Sequence, residues 1–279
     1  MTKLAQYVKR LEIESLWSGR KHIVWNLHPD VNILSGVNGV GKSTILNKME
    51  RVLSLRENPS EFKNGVFPGV KVTFEPEDAT FAHFDIIRSF DNTLLSGSVL
   101  SKLADGRVRS ELDWKIYELQ RRYLNYQVNV GNKMIALLSK GDAKAREEAM
   151  KVSESKTNFQ NMVDELFADT GKIIDRTCNE LQFLQYDEKL SPYQLSSGEK
   201  QMLAILLTVL LQDNQPYVLL MDEREVSLHV EWQQKLVGII RKLNPQAQII
   251  LTTHSPALIM NGWLDAVTEV SDITSEESK

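Results

Sequence analysis

The stretch Val31-Asn32-Ile33-Leu34-Ser35 runs straight into Gly36-Val37-Asn38-Gly39-Val40-Gly41-Lys42-Ser43-Thr44. Apolar Ile45, Met49 and Val52 then recur at helical spacing. The order is a short buried strand, a glycine-rich loop and a helix, with the spacing G-x-x-x-x-G-K-[ST]. Glycines let successive backbone N–H groups curl around the phosphates of a nucleotide, at a helix N-terminus that already favours anions. Lys42 is then placed for the β- and γ-phosphate oxygens, and the Ser43 hydroxyl for Mg²⁺.

Working outward, the chain has 279 residues, 33 Lys+Arg against 37 Asp+Glu, and a net charge of −4. Hydrophobic residues at 42% and charged residues at 25% are those of a globular chain and exclude wholesale disorder. The mild acidity argues against electrostatic capture of nucleic acid by the whole surface, while a local basic groove stays open. The longest near-continuous apolar run, Met202 to Leu211, is half of the roughly 20 residues that span a bilayer. Neither a membrane span nor an export signal is expected, and the lone Cys178 fits a reducing cytoplasm.

Strands are predicted at Leu11 to Leu16, Ile23 to Leu27, Val70 to Phe74 and Phe81 to Phe90, with the phosphate-loop helix over Lys42 to Leu55. From Glu111 the period changes. Leu112, Ile116, Leu119, Tyr123, Tyr126 and Val130 are spaced 4, 3, 4, 3, 4, the seam of a helix that packs on another helix. A polar stretch over Lys140 to Lys156 reads as an interruption, after which Phe159, Val163, Leu166 and then Ile173, Thr177, Leu181 and Leu184 read as resumed helix. The expected organisation is an N-terminal lobe (1–110), a helical insertion (111–190) and a C-terminal lobe (191–279). Together they form one composite α/β domain with a mixed or parallel sheet. Ser271 to Lys279 is expected to fray.

Two further strands end in polar groups. Tyr217-Val218-Leu219-Leu220-Met221 delivers Asp222 and Glu223, and Gln248-Ile249-Ile250-Leu251-Thr252-Thr253 delivers His254. Ends of parallel strands gather at one edge of the sheet, where ligands of such sheets bind. An aspartate there partners Mg²⁺, and the adjacent Glu223 is placed to act as a general base on water. Leu195-Ser196-Ser197-Gly198-Glu199 opens an apolar helix as a capping box.

In order, these motifs resemble those of the ABC-type P-loop ATPases, specifically the soluble RecF/SMC/OLD-like branch. They are a Walker A (Gly36 to Thr44), a signature (Leu195 to Glu199), a Walker B (Val218 to Glu223), a D-loop-like Val226-Ser227-Leu228-His229 and a switch histidine, His254. The resemblance implies an ABC-ATPase head in which two copies sandwich two ATP molecules with Mg²⁺. Gly36, Asn38, Gly39, Gly41, Lys42, Ser43 and Thr44 would bind nucleotide in cis. Ser43 and Asp222 would hold the metal, Glu223 and His254 would be catalytic, and Ser196 with Gly198 would reach the γ-phosphate in trans. ATP would join the dimer, or a larger assembly, and hydrolysis would release it.

In this branch such ATPases resemble the regulatory partner of an effector, such as a nuclease, in bacterial anti-phage modules. With some 25 residues after His254, any nuclease chemistry is expected from a co-encoded partner. The resemblance also leaves room for a DNA-repair or chromosome-associated ATPase, a transporter nucleotide-binding subunit, or a non-hydrolysing scaffold. Nucleic acid remains a candidate partner, with Arg107, Arg109, Arg121 and Arg122 as the only basic cluster. Departures from the pattern are Arg224 after the Asp-Glu pair and Ser197 in the signature. No glutamine loop is evident, since Gln120 and Gln127 lie in the insertion, and Trp17, Arg20 and Trp25 are the candidates for the adenine contact.

Overall fold

The computed structural model describes residues 2–16, 21–57, 68–88, 108–223 and 228–276. Its strands are β1 (Tyr7–Leu16), β2 (Lys21–Asn26), β3 (Val31–Ser35), β4 (Val70–Glu75), β5 (Phe84–Ile87), β6 (Lys172–Ile174), β7 (Phe183–Gln185), β8 (Glu188–Leu190), β9 (Tyr217–Asp222), β10 (Ala247–Thr252), β11 (Val267–Glu269) and β12 (Thr274–Glu276). Its helices are α1 (Lys42–Glu57), α2 (Glu111–Leu138), α3 (Ala143–Leu166), α4 (Ser197–Leu210), α5 (Val230–Leu243) and α6 (Pro256–Met260).

The central sheet has the order β11-β3-β10-β9-β5 and is parallel throughout. Its strands are apolar on both faces because both faces are covered. Ile33, Leu219, Met221, Ile249 and Leu251 pack into the core shared with α2, α3, α4 and α5. The alternate residues Leu34, Val218, Leu220 and Ile250 pack with α1 and the antiparallel sheet β12-β2-β1-β4. Side-chain alternation along each strand thus divides the molecule into two layers around one sheet.

A buried glutamine joins the two sheets. Register between β1 and β4 shifts between Val8 and Arg10, and Val8 turns its N–H to Gln248 Oε1 at 2.8 Å. Gln248 Nε2 in turn donates to Val8 O (2.9 Å) and His28 O (2.7 Å). One side chain on β10 therefore bonds both backbone groups of Val8 on the bulged strand and shares His28 O with Asn32 Nδ2 (2.9 Å).

The helix seam expected from Leu112 to Val130 is buried along α2, where Tyr123 packs on Phe159 of α3 (ring centroids 6.2 Å). α2 and α3 run antiparallel, and three readings of this region need correction. The polar stretch after Lys140 does not interrupt: α3 runs through it, burying Ala145 and Ala149 and pairing Lys151 with Glu147 at i,i+4 on its exposed side. Ile173, Thr177, Leu181 and Leu184 are not helical, so 172–190 is not part of a helical insertion. Gly171, in left-handed conformation (φ +66°), ends the preceding turn, and β6, β7 and β8 form a small antiparallel sheet. The third correction is at the C-terminus, where residues 274–276 do not fray. They pair with β2 as β12, while Ile273 accepts from Val24 N–H and packs in the core. The expected strand Phe81 to Phe90 is realised only over Phe84–Ile87, and its last two residues lie outside the described residues. Among the described residues, no helix is long and apolar enough to cross a membrane.

Gln248→Leu should lower stability by about 3 kcal/mol, because it strands buried backbone donors and acceptors while keeping volume. Denaturant titration checks this; an unchanged midpoint would show that the two sheets do not depend on the clamp.

Candidate active site

Three adjacent strands position the site. β10 pairs with β3 on one side (Thr252 opposite Leu34) and with β9 on the other (Thr252 opposite Asp222). The segments that follow these strands, Gly36 to Ser43, Glu223 and His254, therefore emerge side by side at one sheet edge.

Within the loop, Gly36 and Gly41 have φ of +152° and +106°, conformations closed to most side chains. A Cβ on Gly36 would come 3.0 Å from Val40 Cγ1, so a side chain here would push the loop out of shape. Asn38 and Gly39 are exposed at the loop tip, while Gly41 and Lys42 are buried. The Lys42 ammonium lies 3.1 Å from Gly36 O, 3.4 Å from Val37 O and 2.6 Å from His254 Nε2. Nε2 of His254 stands between the Lys42 ammonium and the Glu223 carboxylate. Glu223 Oε1 lies 3.7 Å from Lys42 and 3.1 Å from His254. Lysine, histidine and glutamate form a compact triangle from the three strand ends.

Asp222 anchors the other side. Its Oδ1 accepts from Ser43 Oγ at 3.0 Å and from Thr252 Oγ1 at 2.6 Å. Thr252 Oγ1 also accepts from Glu223 N–H at 3.1 Å. Glu223 itself sits at φ +47°, a left-handed conformation costly for a non-glycine residue and concentrated at functional sites. Sequence reasoning missed Thr252. The available signal was a hydroxyl residue ending an otherwise apolar buried strand. It also missed Gln233, which accepts from Ser255 Oγ (2.6 Å) and donates to Leu228 O (2.9 Å), tying the segment after His254 to the start of α5. No periodicity signals that link.

The donor chemistry fits a nucleotide with Mg²⁺. Ser43 Oγ and Asp222 are neighbouring hard oxygen donors, and Mg²⁺ commonly takes one or two such groups with phosphate oxygens and water completing its shell. Among the described residues, no cluster of three or more His, Cys, Asp or Glu could hold a metal on its own. Thr44 follows Ser43 in α1.

Ser196 and Gly198 stand apart from this cluster. Ser196 caps α4 in a full capping box with Glu199, in the layer across the sheet from α1. None of the described hydrogen bonds or ion pairs joins either residue to Lys42, Asp222, Glu223 or His254. Two buried ion pairs hold the start of α4: Glu199 with Lys172 (3.0 Å) and Lys200 with Asp113 (2.8 Å). Burial alone would raise the Glu199 carboxyl. Hydrogen bonds from Ser196, Lys172 and Thr170 outweigh burial and hold it below its ordinary 4.5.

Trp25 is buried in the core and cannot present its ring to a nucleotide. Gln120 bonds Tyr193, and Gln127 bonds Asn179 O and Lys156. Trp17, Arg20, Arg107 and residues 224–227, which include Arg224 and the first half of the D-loop-like segment, lie outside the described residues.

Residues 99–261 match the family model described as "AAA domain, putative AbiEii toxin, Type IV TA system". The "Septu protein PtuA" of Bacillus thuringiensis is 24% identical over 305 residues, covering 90% of this chain and 72% of that protein. The "Retron Vc95 probable ATPase" of Vibrio cholerae serotype O1 biovar El Tor is 28% identical over 168 residues, 49% of this chain and 33% of that protein. This chain thus aligns with only a third of the retron protein. Among solved structures, the Smc head bound to the C-winged helix domain of ScpA aligns over 91% of both chains. Its TM-score is 0.50 at 14% identity, a likeness of fold.

Because folding holds the Glu199 carboxyl below 4.5, its contribution to stability is complete above that pH. It is lost as pH falls through the lowered folded value. Glu199→Gln should flatten the acid side of the stability–pH curve, measured by thermal melts; an unchanged slope would place the acid sensitivity elsewhere.

Proposed function

The chain belongs to the AAA-domain family whose model it matches over more than half its length, and on that premise we propose that it is an ATP-hydrolysing dimeric switch for a partner effector. The observation that carries the reading is the convergence of Lys42, Ser43, Asp222, Glu223 and His254 from three adjacent strand ends. Gly36, Asn38, Gly39, Gly41 and Thr44 belong to the loop and helix start that bind the nucleotide.

Lys42 holds the phosphate end. A phosphate oxygen competes with His254 Nε2 and the two carbonyls for the same ammonium hydrogens, so binding redistributes the triangle. Ser43 and Asp222 would hold Mg²⁺, which would supply neutralisation of charge on the phosphates. Glu223 turns its carboxylate toward Lys42 and His254, where it orients water and takes its proton as general base. His254 hydrogen-bonds the same region once Lys42 has turned to phosphate. Thr252 fixes the Asp222 carboxylate and the Glu223 backbone together.

Ser196 and the Gly198 amide serve the nucleotide of a second copy. Their place on the opposite layer from α1, at an open helix start, supports that assignment. Similarity to a Septu protein and to retron ATPases supports a setting in bacterial anti-phage defence, with an effector such as a nuclease as the controlled partner. We place the protein in the cytoplasm.

Light scattering on Glu223→Gln with ATP–Mg²⁺ should report a doubled mass, and an unchanged mass counts against nucleotide-driven pairing. Lys42→Ala should abolish nucleotide binding. Ser196→Arg should bind nucleotide normally yet neither dimerise nor hydrolyse; a normal turnover in this variant would sink the two-copy site.

A further inference from the structure

The His254 imidazole stands between Lys42 (2.6 Å) and Glu223 (3.1 Å), and the chain is anchored on both sides of it. Before it, Thr252 at the end of β10 and the following Thr253 are fully buried. After it, Ser255 N–H donates to Thr253 Oγ1 at 2.8 Å, closing a tight turn around the histidine. The Ser255 hydroxyl then donates to Gln233 Oε1 at 2.6 Å. Gln233 lies in the first turn of α5, and its Nε2 donates to Leu228 O at 2.9 Å. Leu228 is itself a buried core residue. One amide therefore connects a carbonyl fixed in the core to the residue next to His254.

Both helix starts do without an ordinary side-chain cap. Ser255 occupies the N-cap position of α6, where a serine oxygen usually accepts from an N–H two or three residues on. It makes no such bond, and its hydroxyl proton goes to Gln233 instead. At α5 the N-cap residue is His229, again without a side-chain cap, and Gln233 turns its amide back to Leu228. A carbonyl only accepts, so Leu228 O fixes which way the amide points and makes Ser255 the donor at its other end. Glutamine suits this place because its side chain donates at one end and accepts at the other.

We propose that Gln233 is a positioning residue for hydrolysis, acting through Ser255 to fix where the His254 imidazole stands. The need arises when nucleotide binds. Before binding, hydrogen bonds to Lys42 and Glu223 steady the ring. Once the Lys42 ammonium turns to a phosphate oxygen, one of those supports is gone. The backbone clamp from Gln233 then keeps His254 within reach of the same phosphate, and displacements of about 1 Å at such a group are costly to rate. The role in hydrolysis rests on the function proposed above, whereas the placement of His254 does not, so each has its own readout.

The first readout is ¹H–¹⁵N correlation NMR of the histidine rings in the full chain without nucleotide. Five histidines keep the spectrum sparse, and His254→Gln identifies the signal by its loss. Gln233→Leu and Ser255→Ala should each displace or broaden the His254 signal, and Ser255→Thr, which restores a hydroxyl, should return it. The second readout is ATP turnover. Gln233→Leu and Ser255→Ala should each lose about tenfold or more in kcat, with KM for ATP within about twofold of the wild-type value. Because both remove the same bond, the double variant should lose no more than the stronger single one. Gln234→Leu, an exposed neighbour on the same turn, should change neither readout. An unmoved His254 signal in whichever of the two variants folds, a loss confined to KM, or a normal kcat beside a displaced signal would overturn the proposal. A wild-type chain that turns over no ATP would instead overturn the hydrolytic reading and the role within it. The histidine signal would then still decide whether Gln233 places His254.

Discussion

One carboxylate oxygen holds the site together. Asp222 Oδ1 accepts hydrogen bonds from the Ser43 and Thr252 hydroxyls, and so ties the segment after β3 to the last residues of β9 and β10. Those hydrogen bonds exist only because β10 lies between β3 and β9 with Thr252 level with both Leu34 and Asp222. A one-residue slip of β10 would turn Thr252 to the other face and bury the wrong side chains throughout the sheet. The apolar alternation that fixes register for packing is thus the same constraint that assembles the chemistry.

That alternation also separates two tasks. The phosphate-loop helix α1 and the antiparallel sheet occupy one face, while the signature helix α4 sits on the other with α2, α3 and α5. Lys172–Glu199 and Lys200–Asp113 fasten the start of α4 to β6 and to the N-terminal cap of α2. Buried pairs of this kind are poor sources of net stability but exact in geometry, since breaking either leaves a charge without a partner.

Much of the fold was legible in one dimension. The β3 strand bounds, the α1 start at Lys42 and the buried seam from Leu112 to Val130 all agree with spacing alone, because each is a local repeat of one face. The failures were also physical. Ile173-Ile174 and Phe183-Leu184 are apolar runs too short to distinguish strand from helix, and only their mutual pairing decides for strand. The tail looked polar, yet β12 forms because β2 offers it an open edge.

Sequence by itself determined the residue types and their order: a glycine-rich loop before Lys42 and Ser43, a carboxylate pair after an apolar strand, and a histidine after another. These are local, since loop curvature, strand burial and helix starts each depend on a few neighbours. Only the tertiary structure decided that Thr252 supports Asp222, that Glu223 folds back through a left-handed turn toward Lys42 and His254, and that Gln233 joins Leu228 to Ser255. Those outcomes join residues distant in the chain. Their partners are chosen by sheet register and layer packing, which no short stretch of sequence contains.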